Sequence, residues 1–222
     1  MKKIIFITAL LFSINIYAEK GFYAEGNYKK NSFSLTYDDG PGKITTELLK
    51  LLNNYNAKAT FFVLGENVKK YPEILKMVKE NGHLIGNHTY SHKNFYSLDK
   101  SNLNKEEILI KEIEKSEYEI KKVTGEKPIF MRLPNGFSKT WAKTIINEKG
   151  YTLINWTFGC DWEKMEEKKM TEKYLKALKP GAILLMHDGG KNKEKTLRIT
   201  EAILKKAREL GLKPVKIDEL IK

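Results

Sequence analysis

The chain has 222 residues, 41% of them hydrophobic and 11% aromatic, and its 40 basic and 28 acidic residues give a formal net charge of +12. That length and apolar content suffice for one substantial core and exclude a disordered chain. One cysteine, Cys160, excludes an intramolecular disulfide, so the fold must rest on its core, and the thiol is expected to be buried and inert.

Residues 1–18, MKKIIFITALLFSINIYA, begin with Lys2 and Lys3, run apolar from Ile4 to Ile16 and reach the small residue Ala18. This is the layout of a secretory signal peptide. The run is shorter than the roughly 20 residues of a spanning helix, so it is expected to be cleaved and to leave no stable membrane anchor. The protein is accordingly expected to be exported, to the periplasm or to the cell envelope and medium. Residues 19–30 read as a polar lead-in and residues 31–222 as one domain.

Within that domain, Phe33, Leu35 and Tyr37 alternate with Ser34 and Thr36 at strand period. Ile44, Leu48, Leu52 and Tyr55 follow at helical spacing. Ala59 to Leu64 is a short apolar strand, Tyr71 to Glu80 a helix stopped by Asn81-Gly82, and His83 to Gly86 a strand. A long charged helix, roughly Asn104 to Val123, carries Leu109, Ile113, Ile120 and Val123 on one stripe and ends at Gly125. Ile129 to Leu133 is the next strand, Lys139 to Lys149 a helix, Tyr151 to Thr157 a strand, and Thr171 to Leu178 a helix stopped by Pro180-Gly181. Ala182 to Met186 is a continuous apolar strand, followed by a helix that carries Ile199, Ile203, Ala207 and Leu210. Lys213 to Ile217 is the last strand, with a helical turn over Asp218 to Ile221. About seven parallel strands alternating with helices make an α/β fold, and favour a distorted or incomplete (β/α) barrel over an open sheet.

The lysines alternate with glutamates along the helices, as in Lys111-Glu112 and Glu119-Lys121, and no RNP-like, zinc-finger or Lys/Arg-block signature appears. The basic balance reads as a solvated surface drawn to an anionic envelope, and nucleic acid is not an expected partner. No pattern indicates an oligomeric state.

Five strands deliver titratable side chains at their C-terminal ends: Asp38 and Asp39, His88 and His92, Arg132, Asp161, and His187 with Asp188. In parallel α/β barrels that end carries the active site, so the convergence points to catalysis. Each feature alone has an ordinary reading. Asp38-Asp39-Gly40-Pro41-Gly42 is a run of turn formers, Arg132 also fits a surface arginine, and His83, inside its strand, reads as structural. Two adjacent carboxylates at a barrel mouth, however, are costly without a cation. His88 and His92, four apart, face the same way on a helical turn and can share a metal. One Asp with two His makes a three-ligand site with an open position, as in catalytic zinc. Nitrogen and oxygen ligands suit Zn²⁺, with Co²⁺ or Ni²⁺ as alternatives that spacing does not separate.

These segments resemble the five motifs of the polysaccharide deacetylases, the NodB-homology domain of carbohydrate esterase family 4. Thr36-Tyr37-Asp38-Asp39-Gly40 is similar to T-F-D-D-G, and His88-Thr89-Tyr90-Ser91-His92 to H-[ST]-x-x-H. Arg132-Leu133-Pro134-Asn135-Gly136 resembles R-x-P-Y-G, Asp161-Trp162 the end of D-x-x-D-W, and Leu184-Leu185-Met186-His187-Asp188 resembles L-x-x-H-D. The order is the family's, and the resemblance covers about Asn31 to Lys222. Two positions depart from the pattern: Asn135 stands in place of tyrosine, and Phe158 in place of the first aspartate of the fourth motif. The loop from Trp156 to Trp162 is also slightly short, which bears on substrate contacts.

The resemblance implies a metal-dependent hydrolase of amide C–N bonds that deacetylates an aminosugar polymer, with peptidoglycan preferred on the strength of export and chitin oligomers next. On the matching positions it makes Asp39, His88 and His92 ligands of one divalent ion, zinc for preference, which acidifies water and polarises the acetamide carbonyl. Asp38 would be the general base and Arg132 the partner that holds it ionised. The Asn135 N–H would stabilise the oxyanion, and Pro134 beside it would also contact substrate. His187 would protonate the departing amine, with Asp161 favouring its charged form. Trp162 and Leu184 would make the apolar pocket for the acetyl methyl, and Thr89 and Ser91 would brace the histidine loop. The same site also serves an O-acetyl polysaccharide esterase. A non-catalytic glycan-binding remnant is a third reading, against which stands the full set of base, acid and ligands.

Overall fold

The computed structural model describes residues 21–101, 103–190 and 193–222. Residues 1–18, expected to be a signal peptide, lie outside the described residues.

Nine strands form one sheet among the described residues, and every pairing is parallel. They are β1 (Phe22–Tyr23), β2 (Ser32–Gly40), β3 (Thr60–Val63), β4 (Leu84–Asn87), β5 (Phe130–Met131), β6 (Thr152–Ile154), β7 (Phe158–Gly159), β8 (Ile183–His187) and β9 (Lys213–Pro214). The order is β1-β6-β5-β4-β3-β2-β8-β7, with β9 paired to β2. The sheet is an incomplete barrel whose two end strands, β1 and β7, do not pair with each other. The helices that cross between strands are α1 (Thr45–Asn54), α2 (Gly65–Lys70), α3 (Pro72–Glu80), α4 (Phe95–Ser101), α5 (Lys105–Thr124), α6 (Thr140–Glu148), α7 (Glu167–Ala177) and α8 (Glu194–Glu209), and α9 (Ile217–Leu220) follows the last strand.

All seven expected strands are present, with two additions. The stretch expected as a polar lead-in, residues 19–30, contributes β1, whose Phe22 and Tyr23 pair with Leu153 and Ile154. Two residues are too few to show an alternation, and their partner lies far along the chain. Phe158 and Gly159, where the family's aspartate is missing, form β7 against Leu184 and Leu185. The last strand is shorter than expected, because Ile217 starts α9.

The pleat of β2 sorts its side chains. Phe33, Leu35 and Tyr37 join the largest apolar cluster with Leu48 and Leu52 of α1 and Ile199 and Ile203 of α8. Ser34, Thr36 and Asp38 therefore face the barrel interior. That interior is filled by Phe62, Ile154 and Ile183, which pack with Ile217 and Leu220 of α9. A further cluster lies between β5, β6 and the helices α5 and α6, through Met131, Leu153, Ile113 and Ile146. Gly125 stops α5 in the left-handed region at φ 78, its N–H closing on the Lys121 carbonyl at 2.8 Å. Cys160 is buried as expected, and burial pushes its thiol up to about 11.

Candidate active site

Parallel register aligns the strand ends. Asp38 of β2 lies opposite His187 of β8, and Val63 of β3 lies opposite Asn87 of β4. Loops leaving those ends must therefore meet over one mouth, which is where the polar residues lie.

Thr36 and Asp38, two apart on β2, share the inner face, and Arg132 binds both. Its Nη1 donates to Asp38 Oδ1 at 2.7 Å and to Thr36 Oγ1 at 2.9 Å. Nε donates to the Ile154 carbonyl at 3.1 Å and Nη2 to the Asn155 carbonyl at 3.0 Å. The guanidinium lies 4.2 Å from the Phe62 ring centre and 5.5 Å from that of Trp156. A fully buried arginine is tolerable only with its donors satisfied and a counter-charge beside it, and here both conditions hold. Burial pushes the Asp38 carboxyl up from its ordinary value, opposed by the charges of Arg132 and His187. That direction suits a general base.

Asp39, His88 and His92 each turn one ligand atom to a common point, all within 4.8 Å of one another. The Nε2 atoms of His88 and His92 each stand 3.5 Å from Asp39 Oδ1. Ligand atoms about 2.0–2.1 Å from a tetrahedral zinc are about 3.3 Å apart, so the spacing fits an ion at the centre. Asp39 Oδ1 is buried and has no hydrogen-bond partner, a costly state that a cation would relieve. His88 Nδ1 donates to the Arg132 carbonyl at 2.8 Å, which leaves the Nε2 lone pair facing the site. Burial, the largest influence, lowers His88 to about 3, so the ring is the neutral form that ligates. The residues present fit a divalent metal.

The two histidines do not meet by helical periodicity, as their spacing suggested. Residues 88–94 are irregular, with Thr89 at φ 70 and His92 at φ 54, and Asp39 is also left-handed at φ 68. Such a backbone costs of order 1–2 kcal/mol per residue and persists only where the surroundings over-determine it. Asp39 is held by Asn67, whose Nδ2 donates to its carbonyl at 2.8 Å. Its carbonyl also lies against Gly189, where a Cβ would come within 1.9 Å of that oxygen, so only glycine fits there.

Across the mouth, Asp161 grips His187 twice. It accepts from the His187 N–H at 2.9 Å and from Nδ1 at 2.7 Å, which turns Nε2 towards the cleft. Burial disfavours the charged imidazole, but the Asp161 bond and charge, with Asp38 and Asp39, outweigh it and raise the His187 pKa. Asp161 is itself placed by Tyr174, whose hydroxyl accepts from the neighbouring Cys160 N–H at 3.0 Å and donates to the Leu185 carbonyl at 2.6 Å. Phe158 stacks edge-on against that tyrosine at 5.1 Å, so the family's missing aspartate is replaced by a core contact.

The cleft between these groups has a volume of about 340 Å³ and is lined by Asp38, Asp39, His88, His92, Asn135, Trp156, Trp162, Leu185 and His187. Trp162 is half-exposed and stands edge-on to His187 at 5.5 Å and to Trp156 at 6.3 Å. Asn135, at φ 58, turns the chain into the cleft wall with Gly136 at φ 67, where a Cβ would meet Trp156. Pro134 is buried behind Asn135 and does not line the cleft.

Two further expectations need correction. Leu184 is not a cleft residue: it lies in the apolar cluster between sheet and helices, while Leu185 lines the cleft. Side chains 183, 185 and 187 share one face of β8, so pleat parity with His187 would have selected Leu185. Trp156 was also overlooked, although an aromatic residue just past β6 was the signal. Thr89 does not brace its loop through its side chain, whose hydroxyl has no partner, whereas Ser91 Oγ donates to Glu112 at 2.8 Å. His83 takes the structural role expected, its Nδ1 accepting from the Ala59 N–H at 3.2 Å.

A profile of the family described as polysaccharide deacetylase matches residues 25–154. A peptidoglycan-N-acetylglucosamine deacetylase of Bacillus cereus is 34% identical over 174 residues, covering 77% of this chain and 61% of the relative. A second protein of that name from the same organism is 32% identical over 193 residues, covering 85% and 87%. The chain therefore spans less than two thirds of the first relative and most of the second. Among solved structures, a peptidoglycan N-acetylglucosamine deacetylase bound to 4-naphthalen-1-yl-N-oxidanyl-benzamide superposes with a TM-score of 0.83 at 30% identity, covering 90% of this chain and 92% of that one.

Proposed function

The chain belongs to the polysaccharide deacetylase family, and from that premise we propose that it hydrolyses N-acetyl groups on the N-acetylglucosamine of peptidoglycan. The observation that carries the reading is the placing of a metal-ligand triad, a buried carboxylate and a carboxylate-backed histidine around one 340 Å³ cleft. The names of the relatives supply the preference for peptidoglycan.

Asp39, His88 and His92 would hold one divalent ion (zinc for preference, with cobalt or nickel as alternatives), which would supply a lowered pKa for water and polarisation of the acetamide carbonyl. Asp38 takes the proton from the attacking water, and Arg132 keeps its carboxylate ionised and aimed. The Asn135 N–H donates to the carbonyl oxygen as negative charge develops there. His187 passes the Nε2 proton to the amide nitrogen as the C–N bond breaks, and acetate and the free amine leave. Asp161 keeps His187 in its charged form until then. Trp162 and Leu185 enclose the acetyl methyl and exclude competing water.

Residues 1–18 fit export, which would place the enzyme with its polymer, in the periplasm or the outer envelope. Residues 31–222, with β1, make up the catalytic domain. No helix among the described residues is long and apolar enough to cross a membrane.

The test is acetate release from purified peptidoglycan and from N-acetylglucosamine oligomers, by metal-stripped protein with and without added Zn²⁺ or Co²⁺. Release that returns with metal and is lost in Asp38→Asn supports the reading. Release only from O-acetylated glycans would replace it with the esterase.

A further inference from the structure

The loop that carries two of the three ligands has no ladder of its own, yet it must hold two imidazoles to a fraction of an ångström. His88 is held directly, by Nδ1 on the Arg132 carbonyl and by its N–H on the Val63 carbonyl at 2.9 Å. Among the described residues, His92 has no hydrogen bond at Nδ1, so its ring goes where its backbone puts it. That backbone is held from both sides. On one side the N–H groups of Gly65 and Glu66 bind the carbonyls of Thr89 and Tyr90 at 3.0 and 3.1 Å. On the other stands Glu112, buried on α5. Its Oε2 accepts the N–H groups of Tyr90 and Ser91 at 3.1 and 2.8 Å, and its Oε1 accepts Ser91 Oγ at 2.8 Å.

Three donors from two consecutive residues on one buried carboxylate make a clamp rather than a surface ion pair. The next residue, Ile113, sits in the core and fixes the helix position from which the clamp reaches. We propose that Glu112 is a positioning residue of the metal centre. It holds Tyr90 and Ser91 so that His88 and His92 present Nε2 to the point that Asp39 Oδ1 faces, and thereby sets metal affinity. It touches neither substrate nor reacting atoms. The inference rests on Asp39, His88 and His92 being the ligand set, and not on which acetyl bond is cut.

Glu112→Leu removes both acceptor oxygens with little change of volume, so it opens the clamp; Glu112→Gln would not, since its amide can still accept the two N–H groups and donate to the Ser91 hydroxyl. Metal-stripped wild type, Glu112→Leu and Ser91→Ala would be titrated with Zn²⁺ by calorimetry, and their unfolding midpoints measured without metal. The Zn²⁺ dissociation constant is expected to rise about 10- to 100-fold in Glu112→Leu and less in Ser91→Ala, with kcat largely restored at saturating Zn²⁺. Unchanged Zn²⁺ affinity in folded Glu112→Leu overturns the proposal, even if its midpoint falls. Should that variant not fold, Ser91→Ala decides, and wild-type affinity there overturns it. Weakened Zn²⁺ binding in variants of a protein that releases no acetate would uphold the clamp while removing the deacetylase reading.

Discussion

Arg132 and Asp38 form a buried ion pair, Nη1 to Oδ1 at 2.7 Å, with neither side chain more than 3% exposed. Its burial makes it asymmetric under mutation. Arg132→Met leaves an uncompensated buried carboxylate and is expected to cost about 3–5 kcal/mol, read from denaturant unfolding. Arg132→Lys keeps a charge but cannot also reach the Ile154 and Asn155 carbonyls that aim the fork. Its kcat/KM is expected to fall by about 100-fold, roughly 2.7 kcal/mol. Wild-type activity in Arg132→Lys would show that charge alone suffices.

In the proposed mechanism His187 acts charged, so the Asp161–His187 pair is expected to set the alkaline limit. The folded pKa of His187 is raised by Asp161 against the pull of burial. Activity should therefore fall as pH rises through that pKa. Asp161→Asn removes the supporting charge, so the alkaline limb of kcat/KM is expected to move to lower pH. Stability follows the same sign. A raised histidine stabilises the fold fully below its unfolded pKa and loses that contribution as pH rises through the folded one. An alkaline limb that does not move in Asp161→Asn would assign it to another group.

Leu184 and Leu185 are adjacent and both buried, but they face opposite sides of β8. Leu184→Ala is expected to cost about 2–5 kcal/mol of stability with KM near the wild-type value. Leu185→Ala opens the proposed acetyl pocket and is expected to lower kcat/KM by about 10- to 200-fold. Steady-state kinetics beside thermal unfolding separates the two; equal kinetic losses would contradict the assignment.

His83 offers a pH test away from the chemistry. It must be neutral to accept the Ala59 N–H, and burial, with Lys58 and Lys216, lowers its pKa to about 4. The unfolded chain takes up that proton below about 6.5, so stability is lost as pH falls from there towards 4. The loss amounts to roughly 3 kcal/mol. His83→Gln can still accept the hydrogen bond and is expected to flatten this part of the profile. The comparison is made on metal-free protein, in which His88 titrates in both samples.

Much of the site was legible because its chemistry is carried by residue type and spacing. Asp38, Asp39, His88, His92 and His187 stood out as titratable groups just past apolar runs, and the strands bring them to one mouth. What was less legible depends on direction. A motif counts positions and points to Leu184, whereas a strand alternates faces and presents Leu185 to the cleft. The histidine pair looked helical because a spacing of four is all that a sequence shows. Its true backbone is set by Asn87, Gly65, Glu66 and Glu112, and Glu112 lies over 20 residues away.

By itself the sequence determined the alternation of strands and helices, the polar residues at the strand ends and the family, since these rest on local periodicity and on side-chain identity. Only the tertiary structure decided that Phe22 and Tyr23 are sheet strand, that Arg132 is fully buried over Phe62, and that Glu112 grips the ligand loop. Each of those is a contact between segments far apart in the chain. Its free energy arises from burial and hydrogen bonding that no local stretch of sequence contains.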